Sequence, residues 1–396
     1  MTDNSLLTPS LITKETLVIL ENNLVMAGKV NRQFENQFVK IGNSITIRKP
    51  NRFLVTNGPG LQIQNISEPS TSITISNQQH VDFQFSSQDL ILTIEEFSER
   101  YLKPAAVTLA NSLDYGVFSN FASFSNLVGT AGTLPNSFLS LAAAGQRMDE
   151  LSAPQDGRTL VLNPAAYWSM ANGVSNLFVT SVSEPALKGF LANIANFSIY
   201  VDQNAQQHTW GAFAGAGKVN GAGQTGSSVV TNGWTASVTG LYQPGDVVQF
   251  AGVYEVNPQN RQSTGTLKNF LITAPVSSDS GGNATLQIFP AITTSGAYQS
   301  SSAAPANLAT VSNVTTPTAS TSYFNNLAFC RDAIGLVTVP MELPDGVDFR
   351  AREMWKGVSM RIIRAYDVNN DVLPCRVDIL WGTAAFYNEL AVRVTN

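Results

Sequence analysis

Residues that could carry chemistry are few in this sequence, and their surroundings argue against most of them. Gly221-Ala222-Gly223-Gln224-Thr225-Gly226 has the spacing of a dinucleotide-binding turn. That turn needs a strand before it and a helix after it, so that the helix N-terminus can face a pyrophosphate. No strand pattern precedes this stretch, and Val229-Val230 reads as strand where the helix should begin. Gly217-Lys218 resembles the end of a phosphate loop, but Val219 stands where Ser or Thr would hold magnesium, and the first glycine is off register. The two histidines, His80 and His208, have no second ligand at metal spacing and read as surface residues. Cys330 and Cys375 lack metal or redox spacing and read as free thiols. No Gly-x-Ser-x-Gly elbow occurs. Glu95, Glu96 and Glu99 share one helix and read as a solvated or subunit-facing acidic patch, because a catalytic base needs burial to tune it. The expectation is a chain with no catalytic, cofactor-binding or metal-ligating residues, and not an enzyme.

Composition points the same way. The 396 residues suffice for two or three domains and a large core. Charged residues are 13%, against about 25% in ordinary soluble domains. Asn, Gln, Ser, Thr and Gly take their place. Neutral hydrogen-bonding groups lose less on desolvation than charged ones, so such a surface suits burial against other copies of the chain. It suits a β-rich exported protein equally well. Net charge is −5, yet Lys29, Arg32, Lys40, Arg48, Lys49 and Arg52 stand against the single acid Glu35 in residues 28–52. A basic segment on an acidic chain calls for an acidic partner surface, which another subunit could supply. The opening Met-Thr-Asp-Asn-Ser has neither the basic nor the apolar region of a secretory signal, and no apolar run approaches membrane length. Neither export nor a membrane span is expected.

The elements that would position these residues follow from periodicity. Leu17, Leu20, Leu24 and Val25 share a helical face that ends near Gly28. Ile45 and Ile47, then Ile73 and Ile75, then Val81, Phe83 and Phe85 alternate as strands, with a turn at Asn57-Gly58-Pro59-Gly60. The whole reads as a long two-stranded excursion. Thr93 and Glu96 form a capping box for a helix through Phe121, carried by Leu102, Ala106, Leu109, Leu113 and Val117. Pro104 lies within it and either bends it or fits a static curve. Arg158–Leu162 reads as a strand running into Asn163-Pro164, an N-cap followed by the favoured first helical residue. Another helix is expected from Ser183, with Pro185 in its first turn. Residues 211–322 hold only six charges, Lys218, Asp246, Glu255, Arg261, Lys268 and Asp279. They read as an all-β module with strands at Val247–Val256, Leu267–Thr273 and Thr285–Phe289. Gly-rich (211–226) and Ser/Ala/Thr-rich (300–322) tracts look like loose linkers. Ile334–Val339, Val358–Tyr366, Val372–Trp381 and Leu390–Val394 are β-rich again.

In this order the segments resemble the capsid fold of tailed bacteriophages. More narrowly they resemble podovirus coat proteins with an inserted β-barrel domain. The residues that carry the likeness are Ser72-Ile73-Thr74-Ile75 through Phe83 and Phe85 leading into the Thr93–Phe121 helix, and Leu160-Val161-Leu162-Asn163-Pro164. To these are added Ala328–Ala333 with Val337-Thr338-Val339-Pro340, and Arg376–Gly382.

The resemblance implies an α+β fold with an N-terminal arm (1–40) and an extended β-hairpin loop with the start of the peripheral domain (41–92). A spine helix and the peripheral domain would follow (93–149), then an axial domain (150–210), an inserted β-barrel-like domain (211–322) and a return through both host domains (323–396). It implies a major capsid protein that forms pentamers and hexamers around double-stranded DNA without reading its sequence. Scaffolding protein and portal would be partners, with a decoration protein as a further candidate. Assembly would occur in the bacterial cytoplasm. An exported adhesin or surface-layer protein is the alternative. Candidate subunit contacts are Arg48, Lys49 and Arg52 on the loop and Glu95, Glu96 and Glu99 on the spine, with Pro104 as a bend.

Overall fold

The computed structural model describes residues 24–34, 44–64, 66, 68–86, 103–174, 193–347, 349–355, 358–370 and 372–396. They fall into two compact units, each assembled from separate stretches of chain.

The first unit holds residues up to Arg48, Ser70–Phe118 and Ile334–Ala384. Strands Ser44–Arg48 and Ser70–Thr74 pair antiparallel with Ile45 opposite Ile73, and both isoleucines are buried. The next strand, Asn77–Ser86, leaves this hairpin. It pairs antiparallel with the long strand Val372–Ala385, from Ser86 opposite Val372 to Asn77 opposite Trp381. The expected two-stranded excursion is therefore a two-stranded hairpin followed by a strand that belongs to a five-stranded sheet. The other members are Ile334–Thr338, Phe349–Trp355 and Val358–Arg364. The last of these pairs antiparallel with Val372–Ala385.

Helix α1 (Lys103–Phe118) buries Ala106, Leu109, Ala110, Leu113 and Val117, a stripe of helical spacing. Gly116 lets the helix approach the sheet: a Cβ there would lie 2.1 Å from the Trp381 ring. Buried Asp114 on α1 accepts the main-chain N–H of Val25 (2.5 Å) and of Ala27 (2.8 Å). Asn31 bridges to Gly335, beside the strand Ile334–Thr338. Leu17 and Leu20, the Thr93 capping box, and the helix expected from Ser183 lie outside the described residues.

The second unit holds Lys49–Pro69, Ser119–Ala333 and Ala385–Asn396. One of its sheets runs Leu127–Gly129, Ala391–Thr395, Ser322–Cys330, Arg158–Leu162, Phe197–Val201, Asn193–Ile194, and Gln207–Thr209 pairs with Ser322–Cys330 as well. Helices α2 (Phe138–Glu150) and α3 (Pro164–Val174) contribute Leu141, Ala144, Met148, Ala166 and Met170 to a core with Leu160, Leu162, Phe197, Ile199, Ala328 and Val392. The strand-to-helix step forms as the sequence implied. The Asn163 side chain accepts the N–H of Ala166 at 2.9 Å, and Pro164 opens α3. Phe197–Val201 then returns parallel to Arg158–Leu162.

Between Gln207–Thr209 and Ser322–Cys330 the chain builds a six-stranded antiparallel sheet. Its strand order is Val311–Asn313, Val247–Phe250, Phe270–Ile272, Ala284–Ile292, Gly226–Trp234, Gly215–Val219. Tyr254–Val256 and Ser263–Leu267 form a separate pair. Val219, Val229, Trp234, Tyr242, Val248, Phe250, Phe270, Leu286 and Ile288 share one core.

Two sequence expectations are corrected here. The Gly-rich tract is not a loose linker: it supplies the edge strand Gly215–Val219 and the turn into Gly226–Trp234. Glycine is needed because the Trp234 indole lies on this strand, where a Cβ at Gly217 would fall 2.0 Å from the ring. The dinucleotide-like stretch 221–226 is thus a hairpin turn, with a strand on each side and no helix. The Ser/Ala/Thr-rich tract is built in as well. Ser301 is fully buried, Ser300 donates to the Ala291 carbonyl at 2.6 Å, and Val311–Asn313 pairs with Val247–Phe250.

Candidate functional site: a clamped loop and two buried junctions

Residues 49–69 connect the paired strands Ser44–Arg48 and Ser70–Thr74. At the root, the Lys49 main-chain N–H donates to Pro69 at 2.8 Å. The Lys49 ammonium donates to the Phe386 carbonyl and sits 5.1 Å from the centre of the Tyr387 ring. Burial pushes the Lys49 pKa down, and nearby Glu389 opposes this. Arg52 pairs with Glu389 at 2.7 Å, with both side chains about one-third exposed. Burial would raise the Glu389 carboxyl, but Arg52 and Lys49 hold it below its ordinary value. Tyr298, which follows the strand Ala284–Ile292, accepts the Arg52 main-chain N–H at 3.4 Å and donates to Asn51 at 3.4 Å. These groups border a cleft of about 940 Å³.

Beyond the root the loop changes character. From Phe53 to Ser67 there is no charged residue. Phe53, Leu54, Val55, Leu61, Ile63 and Ile66 are all exposed, Val55 at 94% and Leu61 at 88%. The Gln64 side chain closes the stem: it accepts the Leu54 N–H at 2.8 Å and donates to the Leu54 carbonyl at 2.5 Å. Scattered exposed apolar residues are ordinary, but six within one uncharged loop concentrate apolar surface in the way interaction sites do.

Two buried junctions tie the six-stranded sheet to the rest of its unit. Glu255 (2% exposed) accepts from Arg147 of α2 at 2.6 Å and from Lys268 at 2.5 Å. Arg147 also reaches Glu150 at 3.3 Å, and Thr266 donates to Glu150 at 2.9 Å. Burial lowers the Lys268 pKa, with Glu255 acting against it. At the second junction Arg393, fully buried on the last strand, donates to the Gly245 carbonyl at 2.7 Å and to Asn325 at 3.1 and 3.2 Å. Burial pushes its pKa down to about 10. Beside it, buried His208 bonds Asp246 at 2.7 Å, while Asp246 also accepts the N–H groups of Gly211 and Gln243. His208 is therefore a buried structural residue and not the surface residue expected from its polar neighbours.

Of the residues singled out from sequence, Lys49 and Arg52 come together at the loop root. Arg48 ends the strand before it, paired in register with Ser70. Pro104 is the second residue of α1, and its carbonyl accepts the Thr108 hydroxyl at 2.9 Å. Glu95, Glu96 and Glu99 lie outside the described residues. Sequence reasoning missed Glu389, Glu255, Lys268 and Arg393. A signal existed for two of them: in a stretch with six charges, Glu255 and Lys268 interrupt strand patterns, and an isolated charge in such a place needs a buried partner. Among the described residues no group of three or more His, Cys, Asp or Glu could hold a metal, and no helix is long and apolar enough to cross a membrane.

The model of the family "P22 coat protein - gene protein 5" matches residues 1–394. The chain belongs to this family. It is a major capsid protein that builds the shell of a phage, and its place is the virion capsid. This sets aside the adhesin or surface-layer alternative that composition had left open. Among solved structures, one from Mycobacterium phage Che8 matches with a TM-score of 0.50 at 13% identity, covering 94% of this chain and 90% of that one. The mature capsid of bacteriophage PhiM1 matches with a TM-score of 0.47 at 8% identity, covering 94% and 86%. The capsid of the myovirus phage XM1 matches with a TM-score of 0.40 at 12% identity, covering 96% and 92%. The Che8 likeness carries the fold, the mixed α+β tailed-phage capsid fold. No curated protein matches the chain.

Proposed function

We propose that the subunit works by geometry alone and without catalysis, forming pentamers and hexamers in which loop 49–69 lies on a neighbouring copy. The observation that carries this is the uncharged apolar tip on a clamped root. Lys49, Arg52 and Glu389 set the direction in which the loop leaves the unit, and burial of Phe53, Leu54, Leu61, Ile63 and Ile66 supplies the contact. Fully burying such a side chain contributes about 1.5–3 kcal/mol, and the contact repeats at every subunit of a closed shell. Root ion pairs this exposed contribute less than about 1 kcal/mol each, so they orient the loop more than they hold it.

In the same reading, Arg48 meets the acidic run Glu95, Glu96 and Glu99 on the adjacent spine. Residues 211–322 form an inserted module that projects outward. Scaffolding protein guides assembly, portal fills one vertex, double-stranded DNA is enclosed without sequence reading, and a decoration protein is a further partner. The test is Leu61→Asp with Ile63→Asp. These exposed positions should leave the fold and melting temperature of the free subunit unchanged and abolish shells in sedimentation. Normal shells from this variant would reject the docked loop.

A further inference from the structure

We propose that Asn57 is a site of spontaneous main-chain modification, a succinimide-forming step at the loop tip. The sequence contains four Asn-Gly steps: 57–58, 172–173, 220–221 and 232–233. In such a step the Gly main-chain nitrogen attacks the Asn side-chain carbonyl carbon. A nitrogen–carbon bond closes a five-membered imide, the bond to the side-chain nitrogen breaks, and ammonia leaves. Water then opens the imide at either carbonyl, leaving aspartate or isoaspartate. Asn plus water yields acid plus ammonia, and no oxidant or other co-reactant is needed. The reaction requires a free glycine N–H, a backbone able to reorient, and space beside the glycine.

The structure separates the four steps sharply. Gly58 (φ +104°) has nothing within 4 Å of where a Cβ would stand, and Gly221 (φ +99°) has the same open space, so between these two the hydrogen bonds decide. Asn57 is exposed, and neither residue is hydrogen-bonded to any described residue. Such a loop tip is where chain freedom concentrates. The other three steps are held. Gly173 lies in α3, where helical pairing occupies its N–H, and a Cβ on it would fall 1.5 Å from the Asn136 carbonyl oxygen. Gly221 donates its N–H to Asn307 at 2.9 Å, and Gln224 grips the Asn220 carbonyl at 2.9 Å. Asn232-Gly233 lies in the strand Gly226–Trp234 with Asn232 in register with Lys218; the ladder is irregular between Asn232 and Trp234, but a Cβ on Gly233 would fall 2.8 Å from the Ala216 carbonyl oxygen.

The product puts a carboxylate into a fifteen-residue stretch, 53–67, that has no charge. Burying an unpaired carboxylate is far more costly than burying an amide. Resting on the docked-loop reading above, a subunit that ages before assembly loses its contact, whereas one already in a shell is shielded at Asn57.

The experiment holds full-length protein as free subunits and as assembled shells in one mildly alkaline buffer and maps peptides by mass spectrometry with isoaspartate detection. In free subunits Asn57 should convert at least about tenfold faster than Asn172, Asn220 or Asn232, a barrier difference of about 1.4 kcal/mol. Asn57→Gln should abolish the signal, and Asn57→Asp should lower shell yield without moving the melting temperature. Conversion at Asn57 no faster than at the other three overturns the modification site. Fast conversion at equal rates in subunits and shells upholds the site and overturns the docked loop instead.

Discussion

Replacing Glu255 by alanine should loosen the strand pair Tyr254–Val256 and Ser263–Leu267 from α2, and the structure sets the size of the effect. Glu255 is 2% exposed and holds two cations, Arg147 at 2.6 Å and Lys268 at 2.5 Å. The substitution strands Lys268, which is itself only 5% exposed, and leaves Arg147 with Glu150 at 3.3 Å and the Thr266 hydroxyl at 3.1 Å. Removing one partner of a buried pair costs about 3–5 kcal/mol, because the remaining charge stays desolvated and uncompensated. For a unit of this size each kcal/mol moves the melting temperature about 2–4 °C, so calorimetry of the full chain should show a fall of roughly 6–20 °C. The cost arises from a stranded charge, so a second substitution should restore part of the loss. Glu255→Ala combined with Lys268→Met should recover stability in a double-mutant cycle. A fall of less than about 2 °C for the single variant, or a double variant worse than the sum of its parts, would refute it.

Other outcomes follow from single contacts. Asp114→Ala deprives the half-buried N–H of Val25 and the buried N–H of Ala27 of their acceptor, at a cost of about 1–3 kcal/mol. Limited proteolysis should then cut within residues 24–34 first. Burial pushes the Cys375 thiol from its ordinary 9.0 up to about 12. The folded pKa is the raised one, so this group's stabilisation is complete below pH 9.0 and is lost as pH climbs through about 12. Cys375→Ala should therefore flatten the alkaline limb of a stability–pH curve, and an unchanged limb would contradict the assignment. Asn163→Ala removes the cap of α3 and should destabilise the chain by about 1 kcal/mol in a denaturant titration.

What the sequence could reveal depended on how far away each residue's partner lies. Arg158–Leu162, Asn163-Pro164 and Ile334–Thr338 were legible because alternation, a cap and a proline are local signals. Val247–Val256 was read as one strand, yet a turn at Ala251-Gly252, with Gly252 at φ +81°, breaks it in two. Composition misled at the Gly-rich tract: glycine reads as looseness, but here it makes room for an indole that enters the chain seventeen residues after Gly217. His208 was misplaced because its partner, Asp246, is 38 residues away. The basic cluster at 48–52 was visible, but its anchor Glu389 lies 337 residues beyond Arg52, in a three-residue helical turn that carries no pattern. Local rules gave the elements, and only the closed fold brings the charges together.

The most direct measurement is negative-stain electron microscopy with sedimentation of the purified full-length chain, with and without a scaffolding partner. Closed uniform shells, or pentameric and hexameric rings, are the expected result. A monodisperse monomer that stays inert when scaffolding is supplied would contradict the account.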